Sequence, residues 1–410
     1  MDQAIEQLKN ERKKRIIDAA QLKKPDRVPV STNLSYFPKQ FGKVKASDAY
    51  YDFPKWREAY LEAAKYLQPD LCGGFPVQSG KLLEELDSKS TKWPGHGVDA
   101  NHGHQFVEAE YMKAEEYDLF LRDRADFNIR YLIPRSFGML KPLETLPPLD
   151  AIPSIIHFDL LAKPEFTEAL EKLLRISREM VEWQKQVQSL SDGLRNLGFP
   201  MLSSRIGVGS PFDMISDFLR GMRGAMLDMY RCPDKLLQAI EMISQDQIKR
   251  IAAGPKAKDF TLAFIALHRG AEGFMSIKQF EKFYWPYLKK SVETLVEAGY
   301  TPDIFFEGDY TSRLEYLQEL PRGHVVGRFD RSDMTKVKQM LGNRMCISGN
   351  VPSSLLQTGS IEDVKKYCKW LIDVVGKDGG YIMSSGSSLD EVKPENLKTM
   401  VDFTHEYGKY

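Results

Sequence analysis

The second half of the chain alternates between short apolar runs and longer amphipathic stretches. From about residue 200 the apolar runs have the length of buried strands, and the stretches between them carry apolar residues at helical spacing. The predicted strands are 201–208, 260–267, 303–307, 324–329, 344–348 and 380–384. The predicted helices are 211–229, 233–252, 277–298, 310–319, 332–341 and 360–375. This alternation indicates parallel strands joined by right-handed crossovers.

The first half adds two predicted strands, at 28–31 and 68–72, and brings the count to eight. Helical patterns precede, separate and follow them, at 4–21, 55–67, 113–122 and 165–190. Eight strands favour an α/β fold of the closed (β/α)8, or TIM barrel, type. An open doubly wound sheet is the alternative. No G-x-G-x-x-G follows an early strand, which weakens a dinucleotide-binding interpretation.

We expect a single barrel domain over residues 1–410. Residues 1–24 would form an N-terminal helical extension. Residues 73–150 are rich in Gly, Pro and polar residues, so we interpret them as an insertion region over the barrel and not as a second core.

Composition narrows the classes of function. The chain has 57 Lys and Arg against 57 Asp and Glu, and this zero net charge argues against wholesale nucleic-acid binding. Its four cysteines stand far apart without a C-x-x-C pair, which is typical of a reducing compartment. The charged N-terminus and the short apolar runs indicate neither a signal peptide nor a membrane span. We therefore expect a cytoplasmic protein with no membrane partner.

The working residues of a barrel enzyme lie at the C-terminal ends of its strands. His268 ends a strongly apolar run there, and its imidazole can ligate a metal or exchange protons near neutral pH. Glu307 ends the next strand and can share a metal with His268 or act as an acid or base. The alternatives are a hydrogen-bonded structural histidine and a salt bridge from Glu307 to Arg269 or Arg328.

Further polar residues at the same predicted rim complete the candidate site. Asp330 is the third predicted catalytic residue, and Asp333 after it suits a helix cap. The predicted substrate-binding residues are Arg205, Arg269, Asp309, Asn350 and Ser387. Hydrolase, nucleotide-hydrolysis and zinc-protease motifs are missing from the sequence, so those classes lose their usual support.

An ordered set of short motifs runs along the chain. They are Asp26-Arg27-Val28-Pro29-Val30, Gly209-Ser210-Pro211-Phe212, Leu219-Arg220-Gly221, Gly299-Tyr300, Glu307-Gly308, Ser348-Gly349-Asn350-Val351-Pro352, Leu355-Leu356 with Gly359, Gly379-Gly380-Tyr381-Ile382 and Pro394-Glu395-Asn396. In this order they resemble the uroporphyrinogen decarboxylase superfamily over most of residues 200–400 and at the N-terminus. The resemblance implies a (β/α)8 barrel. It also implies either a decarboxylase or a corrinoid-dependent methyltransferase.

The chain departs from both branches of that superfamily. True decarboxylases are expected to carry Arg-Gln-x-Gly-Arg where this chain reads 31–37, and Gly-His-Gly where it reads 385–388. The coenzyme M methyltransferases are expected to bind zinc through His-x-Cys and a later Cys. Phe305 and Glu307 replace the first two, and Ser387 falls near the third. A thiol acceptor needs such a Lewis acid, so a donor-side methyltransferase fits the resemblance better.

The leading hypothesis is therefore a corrinoid-dependent methyltransferase. It would move a methyl group between a small methylated compound and a cobalamin or corrinoid protein, so the corrinoid could be bound to a partner protein. The sequence leaves open whether zinc is bound and whether the chain forms a homodimer. A decarboxylase or other lyase, with Arg205, Arg269 or Arg328 holding a small carboxylate, is the first alternative. A non-catalytic partner of a corrinoid protein is the second.

Overall fold

The computed structural model describes residues 3–76, 78–148, 159, 162–204 and 206–410. Seven strands of the barrel are formed: β1 Ser31–Asn33, β2 Leu71–Gly73, β3 Leu262–Leu267, β4 Thr301–Phe306, β5 Val326–Phe329, β6 Cys346–Ser348 and β7 Tyr381–Ile382. The longer helices are Gln3–Ala20, Phe53–Leu67, Pro164–Asn196, Gly221–Arg231, Pro233–Ala253, Trp285–Glu297, Met334–Leu341, Ile361–Leu371 and Pro394–Tyr407. Shorter α-helices are Asp48–Tyr51, Gly80–Glu85, Tyr117–Arg122, Arg124–Phe127, Ile133–Ser136, Pro211–Ile215, Ile277–Gln279, Leu314–Leu317 and Ser353–Thr358.

The strands pair in parallel, in the order that a (β/α)8 barrel requires. β3 to β7 form one sheet in chain order, and β1 pairs with β2. A parallel bridge between Val30 and Met383 joins β7 to β1, and a second one joins Ser203 to Leu262 at the far edge. The predicted barrel is confirmed.

The predicted strand 201–208 is the exception. Among its described residues only Ser203 forms a bridge, although two ladder hydrogen bonds to Leu262 are present, from the Ser204 N–H to the Leu262 carbonyl and from the Leu262 N–H to the Leu202 carbonyl. Pro200 has no N–H to donate, and Gly207 and Gly209 weaken the far end, so the described residues of this run form no longer strand.

The N-terminal end of the barrel is closed by apolar side chains. One buried cluster contains Ile16, Ala19 and Ala20 of the first helix, and Leu71 packs against it. Five strand segments each contribute one residue to the same cluster: Leu202, Leu262, Val326, Cys346 and Ile382. The alternate strand residues, such as Ile265 and Phe306, belong to the larger core between the sheet and the surrounding helices. This plug leaves the C-terminal end as the side on which a site can open.

The predicted insertion region carries short elements of its own. Its central strand Thr91–Pro94 pairs with Gly97–Val98 and Gln105–Phe106, and the helices from Tyr117 to Ser136 follow. None of the helices in the described part of the chain is both long and apolar enough to cross a membrane.

Candidate active site at the C-terminal mouth of the barrel

A cavity of about 900 Å³ lies between the C-terminal ends of β3, β4 and β5 and the insertion region. The barrel contributes His268, Arg269, Glu307, Gly308, Asp330 and Arg331, and the helical segment after residue 210 contributes Asp217 and Phe218. The insertion region supplies the opposite wall, which includes Ser90, Thr91, Phe106, Glu108, Tyr111 and Phe137. Polar groups therefore converge from the strand ends, while aromatic rings cover much of the rest.

Asp213 fixes the backbone where β3 ends. Its Oδ2 accepts the N–H of His268 at 3.1 Å and the hydroxyl of Tyr284 at 2.5 Å, and its Oδ1 accepts the N–H of Arg269 at 3.0 Å. Burial raises the pKa of Asp213 to about 6, against the opposing effect of these hydrogen bonds. The Asp213 carboxylate thus fixes the turn at His268–Arg269 through the backbone N–H groups of both residues.

His268 is oriented by a second carboxylate. Its Nδ1 lies 2.6 Å from Asp217 Oδ2, and its Nε2 lies 3.7 Å from Glu307 Oε2. The hydrogen bond to Asp217 raises the pKa of His268; burial opposes this, and the charges of Asp217, Asp213 and Glu307 support it. One ring nitrogen is therefore anchored, while the other lies beside Glu307, which also lines the cavity.

Arg269 completes this network. It donates to Asp217 Oδ1 at 3.2 Å, to the Ser216 hydroxyl at 2.9 Å and to Glu108 of the insertion region. Its guanidinium lies 5.3 Å from the centre of the Phe274 ring. Since the side chain is only 10% exposed and already bonded to two carboxylates, its charge is balanced within the protein.

Glu307 and Asp330 follow the two neighbouring strands. The Glu307 side chain is 54% exposed and pairs with neither Arg269 nor Arg328 in the described residues. The N–H of Gly308, whose φ is 85°, donates to Asp330 Oδ2 at 3.2 Å. Burial raises the pKa of Asp330. This carboxylate therefore shapes the turn after Glu307 as well as facing the cavity.

Not every residue of the predicted site reaches this cavity. Asp309 accepts the N–H and hydroxyl of Thr311, so it closes a turn. Asn350 bonds the carbonyls of Asp330 and Ser332 and accepts from Tyr367, and Ser387 lies 2.9 Å from the Ser353 hydroxyl. None of the three lines the cavity. Arg205 lies outside the described residues.

The comparisons with known proteins agree with this fold. A family model for uroporphyrinogen decarboxylase (URO-D) matches residues 161–407, which is more than half of the chain. The chain belongs to the URO-D family. The curated relatives that it resembles include proteins named uroporphyrinogen decarboxylase from Chlorobaculum parvum, 29% identical over 188 residues, and from Syntrophotalea carbinolica, 25% identical over 178 residues. Each match covers 43% of this chain and 51% or 50% of the relative, so the chain spans about half the length of the curated relatives it matches.

A solved structure is similar over nearly the whole chain. A methyltransferase from Methanosarcina mazei superposes with a TM-score of 0.57 at 17% identity, covering 97% of this chain and 98% of that one. At this identity the likeness shows the shared fold, and the resemblance to the URO-D superfamily drawn from the motifs is confirmed.

The coenzyme M branch of the superfamily would need thiolate ligands for zinc. The described residues of this URO-D family member do not bring such ligands together. No cysteine lines the cavity; Cys72, Cys346 and Cys368 are buried, and burial raises the pKa of Cys72 to about 11. No group of three His, Cys, Asp or Glu side chains suited to a metal occurs in the described part of the chain. His268 and Glu307, the predicted ligand pair, do lie together, but the residues present do not fit a thiolate zinc centre.

Three carboxylates of the network were missed by sequence reasoning. Asp213 and Asp217 stand four residues apart in a predicted helix, so they share one face, and that spacing was an available signal. Glu108 reaches Arg269 across 161 residues of chain from an irregular segment. No local pattern could have linked that pair.

Proposed function

We propose that this URO-D family protein is a methyltransferase that takes a methyl group from a small methylated compound and passes it to a corrinoid protein. The observation that carries the proposal is the imidazole of His268, anchored through Nδ1 by Asp217 and lining the cavity. The raised pKa of His268 favours its protonated form, which is the form needed to protonate a leaving heteroatom.

The chemistry assigned to the chain is proton transfer. As the bond between the methyl carbon and the oxygen or nitrogen of the donor breaks, the electron pair stays on the heteroatom. His268 Nε2 gives that atom its proton, and Asp217 stabilises the imidazole in the orientation required. Glu307, 3.7 Å from Nε2, is placed to return a proton from solvent, because its side chain is 54% exposed.

A corrinoid would supply the reduced cobalt nucleophile that accepts the methyl group. Residues at the cavity fit the approach of the flat ring of such a group, since Phe106 is 69% exposed and Phe218 is 53% exposed. Phe106 belongs to the wall that the insertion region provides, and Phe218 belongs to the segment after residue 210 on the other side of the cavity.

Methyl transfer to cob(I)alamin, followed by its absorbance change, tests the proposal with anisole, 4-nitroanisole and trimethylamine as donors. We expect transfer from at least one donor by the wild-type protein. His268→Gln should slow transfer from anisole by about 100-fold or more, the usual contribution of a general acid. It should slow transfer from 4-nitroanisole much less, because 4-nitrophenolate leaves without protonation.

His324→Gln is the matched control, since His324 is an exposed histidine at the opposite end of the barrel. It should leave both rates unchanged. Equal slowing of the two ethers by His268→Gln would refute general-acid catalysis, and no transfer from any donor would refute the methyltransferase.

Decarboxylation of a small carboxylate is the second candidate, because the relatives at 25–29% identity are named uroporphyrinogen decarboxylases. Arg331 favours it, since this side chain lines the cavity, is 81% exposed and has Asp330 as its nearest acid at 3.7 Å. Release of carbon dioxide from a panel of aromatic and aliphatic acids would identify this activity. Arg331→Gln should then raise KM for the acid.

A further inference from the structure

The residues that face the interior of the barrel can be identified from the strand register. Leu262 and Val326 belong to the plug at the N-terminal end, and side chains alternate along a strand, so Phe264 and Arg328 point into the same interior. Asp303 pairs in register with both Phe264 and Val326 and shares that side. Ile265 and Phe306, on the other side, pack in the outer core.

This interior is not filled in the usual way. Bulky aliphatic side chains normally pack the inside of such a barrel in layers. Here Phe264 is 45% exposed although it lies in the middle of a strand that is paired along its length with β4. Asn33 of β1, on the same side as Leu71, is also exposed, and Phe305 is half-buried. Solvent-sized space therefore remains above the apolar plug.

Among the residues that the structure describes, the cation that faces this space is Arg328. Arg328 lies with its guanidinium 5.6 Å from the centre of the Phe264 ring and donates through Nη2 to Asp303, while the described residues give its Nε and Nη1 no hydrogen-bond partner. Asp303 is 6% exposed, and its second oxygen is buried without a hydrogen-bond partner among the described residues. Orphaned polar atoms of this kind usually mark an unfilled water or ligand position.

The interior also lies within reach of the candidate active site. Arg328 stands two residues before Asp330 on β5, which places its Cα about 7 Å below the rim of the cavity. A methyl acceptor that approaches from the mouth requires the rest of the donor to extend away from the mouth. The open barrel interior provides that space.

We propose that the barrel interior binds the body of the methyl donor, with its apolar face against Phe264 and an uncharged oxygen acceptor, such as a carbonyl, on the free N–H groups of Arg328. The inference rests on the proposed function for the orientation of the ligand. Asp303 already supplies the counter-charge of Arg328, so a carboxylate at this position would meet a second anion. An uncharged acceptor avoids that repulsion.

Binding to the wild-type chain, measured by calorimetry without any corrinoid, gives the first test. The probes are 4-methoxybenzamide, 4-methylanisole and 4-methoxybenzoate, which share one ring and differ in the group opposite the methyl ether. We expect the amide to bind about tenfold or more tightly than 4-methylanisole, as for a hydrogen bond from a charged donor. It should also bind more tightly than the benzoate. Equal affinity of amide and 4-methylanisole, or tighter binding of the benzoate, would overturn the proposal.

Substitutions locate the site. Arg328→Lys keeps the positive charge beside Asp303 and loses the planar fork, so the preference for the amide over 4-methylanisole should fall several-fold. Arg322→Lys, at an exposed arginine near the N-terminal end of the barrel, is the matched control and should leave the preference unchanged. Asp303→Asn should shift the preference towards 4-methoxybenzoate. An unaltered preference in both Arg328→Lys and Asp303→Asn would place the ligand elsewhere.

Phe264→Trp covers the case in which the charged variants fail to fold, because it leaves both charges in place. Its indole fluorescence should change on addition of 4-methoxybenzamide, and no change at saturation would contradict binding in the interior. The binding measurements contain no methyl acceptor. Selective binding without methyl transfer would therefore reject the proposed function and retain the binding site. Methyl transfer without selective binding would retain the proposed function and reject the binding site.

Discussion

Asp70 is the residue whose loss the structure predicts most sharply for stability. It precedes β2, is fully buried and accepts from Arg27 at 2.7 and 2.9 Å, from Arg15 at 3.2 Å and from the N–H of Val30 at 2.9 Å. These bonds tie the first helix to the start of β1 and β2. Asp70→Asn removes the charge, leaves two cations without their buried partner and presents N–H groups to them.

The expected cost is that of breaking a buried ion pair, about 3–5 kcal/mol. With an unfolding entropy of about 2.1 cal/mol/K per residue, a chain of 410 residues should lose roughly 3–6 °C in Tm. Thermal unfolding followed by circular dichroism, together with urea unfolding, gives both quantities.

Asp26→Asn is the matched control for Asp70→Asn. Asp26 accepts from the same Arg15, at 2.7 and 2.8 Å, but its side chain is 60% exposed. Exposed ion pairs contribute about 1 kcal/mol or less, so Tm should fall by about 1 °C or less. If Asp70→Asn proves no more destabilising than Asp26→Asn, the buried network is not what holds the first helix to the barrel.

Three further outcomes follow from the same contacts. Asp217→Asn should lower the pKa of His268, measured by NMR titration of its ring, because the hydrogen-bonded anion is lost; an unchanged pKa would contradict the assigned orientation. Burial raises the pKa of Asp213 to about 6, above its unfolded value of 3.8, so protonation favours the folded state. Urea unfolding should show the wild type gaining up to about 3 kcal/mol relative to Asp213→Asn as pH falls from 7 towards 4, and a constant difference would reject this. Iodoacetamide should label the half-buried Cys232 before the three buried cysteines, as peptide mapping can check.

The meeting of His268 and Glu307 was predictable from sequence because it depends on short-range rules. Both residues directly follow apolar runs, and neighbouring parallel strands end at the same edge of a sheet. The observed register pairs Leu267 with Phe306, so the next residues on the two strands stand side by side. Periodicity predicted the strands, and strand order then placed the pair.

The residues that surround this pair obey no such rule. Asp309 and Asn350 also follow strands, but Asp309 bonds the N–H of Thr311 in its own turn, and Asn350 bonds the Asp330 carbonyl after the neighbouring strand. Glu108 reaches Arg269 from the insertion region, whose path over the barrel has no periodic signal. The sequence therefore predicts which strand ends meet, but not which side chains remain available to a ligand.

The charges at the cavity support the proposed uncharged methyl donor over the alternative of a carboxylate substrate. Four acids line it, Glu108, Asp217, Glu307 and Asp330, against the two guanidiniums of Arg269 and Arg331. Arg269 is already bonded to two of those acids, so it has little positive charge to offer a ligand. Two of these acids, Asp217 through its hydrogen bond and charge and Glu307 through its charge, contribute to the raised pKa of His268 and so support its protonated form. A site of this kind disfavours a substrate anion and stabilises the protonated imidazole of His268. In the proposed reaction that imidazole would protonate the oxygen of a neutral ether as its methyl group leaves.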